Sequence, residues 1–132
     1  MSHRHDKLSN GTAYLGTRGY RKARLITKED FAELLDDAPN ITYDDVMLCD
    51  AVHSAIRKDD GKPIFIVTEV SVKLRVDEVT RTNRRAAALS SFIGKECVGL
   101  AAGAFIDPAA VGVARENGVQ VIVPQEWAEQ AA

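Results

Sequence analysis

The chain has no run of about 18 apolar residues, the length that a transmembrane helix requires, so we expect no membrane association. Its first residues are polar and precede no apolar segment, which argues against a secretory signal and predicts a cytoplasmic protein. The two cysteines, Cys49 and Cys97, have no metal-ligand spacing and cannot form a disulfide framework. We therefore expect both to be buried thiols in a reducing compartment. A net charge of −2 neither favours nor excludes a nucleic-acid partner.

A length of 132 residues with 45% hydrophobic residues fits one globular domain with a single core. Residues 1–24 are polar and show no convincing period, and their positive charge is concentrated at Arg18, Arg21, Lys22 and Arg24. We interpret this stretch as a flexible basic N-terminal arm. Residues 25–132 then form an α/β domain.

The order of the periodic segments predicts the architecture of this domain. Asp60-Gly61 is a strong tight-turn signal, so residues 50–56 and 64–70 should pair as an antiparallel hairpin. The strand–helix–strand–helix–strand order that starts at residue 64 predicts parallel strands with right-handed crossovers. The fold class is therefore α/β: a single domain with a mixed central sheet flanked by helices. The other predicted elements are helices that begin at Thr27 and Thr42, helices over 77–93 and 109–116, and strands over 97–105 and 119–123.

A carboxylate at the end of an apolar strand is the main functional signal. Residues 64–68 are apolar or Thr, and Glu69 follows them at the point where we expect the strand to end. A buried carboxylate is costly without a partner. Asp50 on the paired strand could approach Glu69, and two such carboxylates suit Mg²⁺, which takes oxygen ligands. Ser71 and Lys73 share the face of Glu69 if the strand continues, because alternate residues of a strand point to the same side.

A simpler interpretation of the same residues stays open. Asp50 and Glu69 could be strand residues that form ion pairs with Arg81 or Arg85 of the following helix. His53 could be a general base, although a lone histidine is more often a surface or core residue. Two further kinds of site are unlikely on the pattern: Ser71 has no His–Asp partners of a nucleophilic hydrolase, and the strand glycines are not followed by the Gly-Lys-Ser/Thr of a phosphate loop.

Four elements in order carry a resemblance: Asp50 before a hairpin, Glu69-Val-Ser71 on an apolar strand, an Arg-rich helix from Asp77 to Leu89, and a closing Gly118-Val119. This arrangement resembles a bacterial branch of the PD-(D/E)XK nuclease-like superfamily, over roughly residues 20–124. The resemblance implies a restriction-endonuclease-like core and metal-dependent cleavage of phosphodiesters.

The resemblance also implies roles for individual residues. Asp50 matches the first acidic ligand and Glu69 the second, for Mg²⁺ or Mn²⁺. Ser71 stands where the superfamily usually has lysine, and serine supplies no positive charge. Lys73, Arg81 or Arg85 could replace that charge. The full set of candidate catalytic residues is Asp50, Glu69, Ser71, Lys73, Arg81 and Arg85.

Three functions follow from these observations. The first is a metal-dependent nuclease-like phosphodiesterase that acts on nucleic acid. The alternative, favoured by Ser71, is a catalytically inactive module on the same fold that binds nucleic acid or a partner protein. The third is a small α/β domain that self-associates through a sheet edge. A homodimer, or a longer parent chain of which this domain is a part, is compatible with each of them.

Overall fold

The computed structural model describes residues 19–123 as one five-stranded sheet with helices packed against it. The strands lie side by side in chain order, from β1 to β5. β2 pairs antiparallel with both β1 and β3, whereas β4 pairs parallel with both β3 and β5. The elements in chain order are β1 (Tyr20–Leu25), α1 (Lys28–Leu34), α2 (Asn40–Met47), β2 (Ala51–Arg57), β3 (Pro63–Leu74), α3 (Val76–Ile93), β4 (Cys97–Ile106), α4 (Pro108–Asn117) and β5 (Gln120–Ile122).

This arrangement confirms the predicted fold class, a single α/β domain with a mixed central sheet and flanking helices. The hairpin prediction is also confirmed, since β2 and β3 pair antiparallel with His53 opposite Ile66. The turn between them contains Gly61, whose φ of +69° suits glycine and whose N–H donates to the carbonyl oxygen of Arg57 at 2.8 Å. No helix among residues 19–123 is long and apolar enough to cross a membrane.

The predicted position of Glu69 at the end of its strand is wrong. β3 continues for five residues beyond it, to Leu74, because β4 remains a parallel partner as far as the Leu74–Ile106 pair. It is β2, on the other side of β3, that begins at Ala51 and leaves the second half of β3 without that neighbour. Glu69 therefore lies in the interior of a strand, beside the point where the antiparallel partner begins.

The predicted arm needs a correction at its C-terminal end. Residues 20–25 form the edge strand β1, which pairs with β2 through Tyr20–Arg57 and Leu25–His53. The polar composition concealed this strand because an edge strand can present most of its side chains to solvent, and Tyr20 is the one fully buried residue of β1. Residues 1–18 of the predicted arm lie outside the described part of the chain.

Helix boundaries follow the capping residues that the sequence shows, with one exception. Thr27 caps α1 by accepting the N–H of Asp30 at 3.1 Å, and Gly94, at a φ of +68°, ends α3. The prediction that Thr42 caps α2 is wrong, because the helix already begins at Asn40, directly after Pro39. Proline is common beside the first turn of a helix, because the N–H groups there have no intrahelical acceptor and proline therefore costs no hydrogen bond.

The helices pack on one face of the sheet. Val67 on β3 packs with residues of α1, α2 and α3, and Ala101 on β4 packs with residues of α3 and α4. These two positions share a face, because Val67 lies opposite Gly99, two residues before Ala101. Glu69 lies opposite Ala101, so its side chain lies on the same, helix-covered face. The buried stripe of α3 consists of Val79, Thr82, Arg85, Ala86 and Leu89.

Gly103 allows β4 to approach β3 closely. A Cβ at this position would lie 2.7 Å from the backbone oxygen of Ser71 and 2.9 Å from Cγ of Leu74. We expect Gly103→Ala to lower the free energy of unfolding by about 1–3 kcal/mol, because the added methyl group overpacks backbone that cannot move away cheaply. Urea denaturation measures this change.

Gly112 provides the matched control for that substitution. It lies inside α4, and a Cβ there would meet nothing within 4 Å. Gly112→Ala should stabilise the domain by about 0.5–1 kcal/mol, because alanine loses less backbone entropy in a helix. Equal effects of the two substitutions would contradict the close packing of β4 on β3.

Candidate functional site

Asp50 lies directly before β2 and is bonded to β3. Its backbone N–H donates to the carbonyl oxygen of Thr68 at 3.0 Å, and its Oδ2 accepts the backbone N–H of Val70 at 2.6 Å. The carboxylate thus satisfies an N–H of β3 where β2 no longer supplies a carbonyl group. Since Thr68 and Val70 flank Glu69, the Asp50 side chain is fixed next to the Glu69 position.

Glu69 forms a buried ion pair with Arg85 of α3. The Glu69 residue is 5% exposed and Arg85 is 5% exposed, and Nη1 of Arg85 donates to Oε1 of Glu69. Arg85 falls on the buried stripe of α3 rather than on its flank, so its guanidinium reaches the sheet from above. Of the two partners that the simpler interpretation offered for Glu69, Arg81 and Arg85, the structure selects Arg85.

Asp45 of α2 holds the arginines of α3 in place. Its two carboxylate oxygens accept from Nη2 and Nε of Arg84, at 2.7 and 3.0 Å. Oδ1 also accepts from Nε of Arg85 at 3.3 Å. A chain of charges therefore runs from Arg84 on the surface through Asp45 and Arg85 to the buried Glu69, and it connects α2, α3 and β3.

The pKa directions at the site follow from this geometry. Burial raises the pKa of Glu69 above its ordinary value, although the adjacent Arg85 guanidinium opposes that shift. The negative charge of Asp50 raises it further, and the positive charge of Arg81 lowers it, so both lie within electrostatic range of Glu69. The hydrogen bonds from Arg84 lower the pKa of Asp45.

The remaining predicted residues are less closely engaged. Ser71 is half-buried, and its hydroxyl donates to the carbonyl oxygen of Lys73 at 3.1 Å. Lys73 is exposed at the far end of β3, and Arg81 is half-buried on α3, one turn before Arg85. The structure thus brings Asp50, Glu69, Arg81 and Arg85 together, and it leaves Lys73 four residues along the strand from Glu69.

Two residues at this site were missed in the sequence. Asp45 reads as a helix-end surface residue, because its partners lie 39 and 40 residues away and no local pattern shows them. Lys28 donates from Nζ to the carbonyl oxygens of Met47 and Cys49, at 3.2 Å each. It neutralises the C-terminal end of α2 and fixes the backbone that leads into Asp50.

His53 and the two cysteines lie in buried or partly buried positions. His53 is buried on β2, where burial lowers the pKa of its imidazole, and its strand neighbours place it opposite Ile66. Burial raises the pKa of the Cys49 thiol to about 12 and that of Cys97 to about 11, so both are protonated and poorly nucleophilic at neutral pH. Cys49 is buried as predicted, and Cys97 is partly buried.

The residues of the site that would hold a hard divalent cation are Asp50 and Glu69. Asp50 and Glu69 supply carboxylate oxygens, which Mg²⁺ and Mn²⁺ prefer, and Mg²⁺ commonly uses one or two carboxylates together with water. Within residues 19–123, no cluster of three or more His, Cys, Asp or Glu side chains adds a further ligand. In the structure, one oxygen of Glu69 is bonded to Arg85 and one oxygen of Asp50 to Val70.

Comparisons with known proteins give one similarity of fold. No protein-family model and no curated protein matches the chain. Among solved structures, the chain is similar to the crystal structure of a repair endonuclease from Pyrococcus abyssi, with a TM-score of 0.43 and 14% sequence identity. The similarity covers 73% of this chain and 46% of the endonuclease, so the chain spans less than half of that protein. No functional conclusion follows from a similarity at this level.

Proposed function

We propose that this domain is a metal-dependent phosphodiesterase that acts on nucleic acid, with Asp50 and Glu69 as the ligands of Mg²⁺ or Mn²⁺. The observation that supports the proposal is that the Asp50 carboxylate is bonded to the backbone of Val70, the residue after Glu69, and that its negative charge raises the pKa of Glu69. A bound divalent cation supplies an activated water and polarises a phosphoryl oxygen. That the domain forms a homodimer, or is part of a longer parent chain, stays a prediction from the sequence.

The residues around the carboxylates have separate tasks in this proposal. Asp50 is oriented by the Val70 N–H, and its carboxylate would contribute oxygen to the cation's coordination shell. Arg81, within electrostatic range of Glu69, contacts the phosphate of the substrate. Arg85 competes with the cation for Glu69, because both neutralise the same carboxylate.

A second candidate function is a nucleic-acid-binding module that does not cleave. The buried ion pair of Glu69 and Arg85 favours it, because Glu69 is already neutralised without a metal ion. The serine at position 71 favours it as well, since its hydroxyl is bonded to the backbone of Lys73 and brings no positive charge to the site. The two functions differ in whether a divalent cation binds.

Thermal denaturation with and without Mn²⁺ tests the proposal. A ligand that binds only the native state stabilises it by mass action, by about 2.7 kcal/mol when its concentration is 100 times the dissociation constant. We expect the melting temperature of the unmodified protein to be higher in Mn²⁺ than in EDTA. We also expect cleavage of a labelled oligonucleotide in Mn²⁺ only.

Asp50→Asn is the sharper variant for this test. The asparagine oxygen can still accept the N–H of Val70, so the substitution removes a negative charge while it preserves the strand contact. Both Asp50→Asn and Glu69→Gln should abolish the response to Mn²⁺ and the cleavage. Identical melting curves of the unmodified protein in Mn²⁺ and in EDTA would refute the catalytic function. The second candidate function, a nucleic-acid-binding module that does not cleave, would then remain.

A further inference from the structure

The far end of β3 and β4 carries an exposed apolar surface, which we call the sheet tip and define by Val72, Val76 and Phe105. Val72 is 71% exposed, Phe105 is 43% exposed, and Val76 is 36% exposed. Phe105 lies opposite Lys73 in the parallel register, Val72 directly precedes Lys73, and Val76 begins the helix that follows β3. A cluster of this kind differs from a singly exposed apolar residue, which needs no explanation.

Basic residues lie next to the sheet tip along the chain. Lys73 and Arg75 are exposed, and Arg81 lies half-buried on the next turn of α3. In the part of the chain that the structure describes, none of these three side chains forms a salt bridge. Their charges are therefore available to an anionic ligand.

The acidic residues near the sheet tip are largely engaged with backbone. Glu78 accepts the N–H of Arg75 at 3.0 Å, and Asp107 accepts the N–H of Ala109 at 3.4 Å, each at the start of a helix. Asp77 lies in the first turn of α3, where the helix dipole compensates its charge. Lys73, the residue paired with Phe105, carries a positive charge that forms no salt bridge within residues 19–123.

We infer that the sheet tip binds an unpaired segment of nucleic acid, with Phe105 stacking on a base and Lys73 contacting the adjacent phosphate. An exposed aromatic ring beside basic side chains is the usual means of holding single strands, since every base has a face that can stack. Bases of a duplex are stacked on each other and offer no such face. Phe105 is the most exposed phenylalanine of residues 19–123.

The position of the tip relates this surface to the acidic pair. Lys73 lies four residues beyond Glu69 on the same strand, a span of roughly 13 Å at about 3.3 Å per residue. The tip therefore lies within the length of a few nucleotides of Glu69. The inference rests on the proposed function for its choice of ligand class and deepens it, because it names single-stranded nucleic acid as the substrate.

Fluorescence anisotropy in EDTA, which prevents metal-dependent cleavage, tests the inference with three labelled 12-nucleotide probes. The probes are a single DNA strand, the same sequence as a duplex, and a strand of equal charge whose central nucleotides are abasic. We expect the unmodified protein to bind the single strand more tightly than the other two. Phe105→Leu should weaken single-strand binding about 5- to 140-fold, which corresponds to about 1–3 kcal/mol per stacked base.

Three controls make the result specific. Phe105→Tyr retains an aromatic face and should bind as the unmodified protein does, which separates stacking from a folding defect. Lys73→Gln should weaken the binding of normal and abasic strands alike, because it removes a phosphate contact. Val111→Ala, at a position on α4 that is 39% exposed, should change nothing.

The outcomes separate this inference from the proposed function. Equal affinity for the single strand and the duplex, no loss with Phe105→Leu, or no binding of any probe would each overturn the inference. A Mn²⁺-dependent rise in melting temperature can survive all of these results, since it reports only on the acidic pair. Conversely, tight single-strand binding without any response to Mn²⁺ would support the binding of nucleic acid at the sheet tip and refute the metal-dependent catalytic function.

Discussion

Arg85→Met should lower the free energy of unfolding by about 3–5 kcal/mol at pH 7. The substitution keeps an unbranched side chain of similar length on the buried stripe of α3, but it leaves the carboxylate of Glu69 buried without its counter-charge. The cost comes mainly from that uncompensated charge, because a buried ion pair as a whole contributes little net stability. Urea denaturation at pH 7 measures the loss.

The loss should shrink as the pH falls. Burial already raises the pKa of Glu69, and without Arg85 the pKa rises further. Between the unfolded pKa near 4.5 and the higher folded pKa, the native state binds more protons than the unfolded state, so stability decreases as the pH increases. Arg85→Met should therefore be closer to the unmodified protein at pH 5 than at pH 7.

Two further variants isolate the charge of Glu69. Arg84→Met makes the same chemical change one residue earlier, at a side chain that is 56% exposed, and should cost no more than about 1 kcal/mol. Adding Glu69→Gln to Arg85→Met removes the buried charge. The double variant should recover part of the lost stability, and its stability deficit should no longer change with pH. A deficit that is constant with pH would mean that lost packing, and not charge, dominates.

The sequence predicts the elements of this fold better than it predicts the site. Local signals determine the hairpin at Gly61, the cap at Thr27 and the helix end at Gly94, because each depends on neighbouring residues only. The edge strand β1 escaped prediction since its stability comes from pairing with β2, not from an apolar pattern of its own.

The burial of Glu69 follows from the sequence, but its partner does not. An apolar run that contains a single carboxylate indicates a buried charge that requires a counter-charge, which the structure supplies as Arg85. The choice between Arg81 and Arg85 depends on the rotation of α3 over the sheet. The role of Asp45 depends on how α2 is placed beside α3, at a sequence separation of about 40 residues that no local pattern encodes.

Leu89→Ala tests whether α3 is anchored to the sheet where the ion pair requires it. Leu89 is fully buried, one turn beyond Arg85, and it packs in the cluster that includes Val67 on β3 and Phe31 on α1. Truncation removes buried methyl groups and leaves a cavity, so we expect the free energy of unfolding to fall by about 2–5 kcal/mol.

Leu48→Ala is the matched control, because it makes the same truncation at a leucine that is 69% exposed at the C-terminal end of α2. We expect it to change stability by no more than about 0.5 kcal/mol. Urea denaturation of both variants gives the comparison. If Leu89→Ala costs as little as Leu48→Ala, α3 does not pack on β3 as described. The buried pairing of Arg85 with Glu69 would then have no rigid support, because the same helix face carries both Arg85 and Leu89.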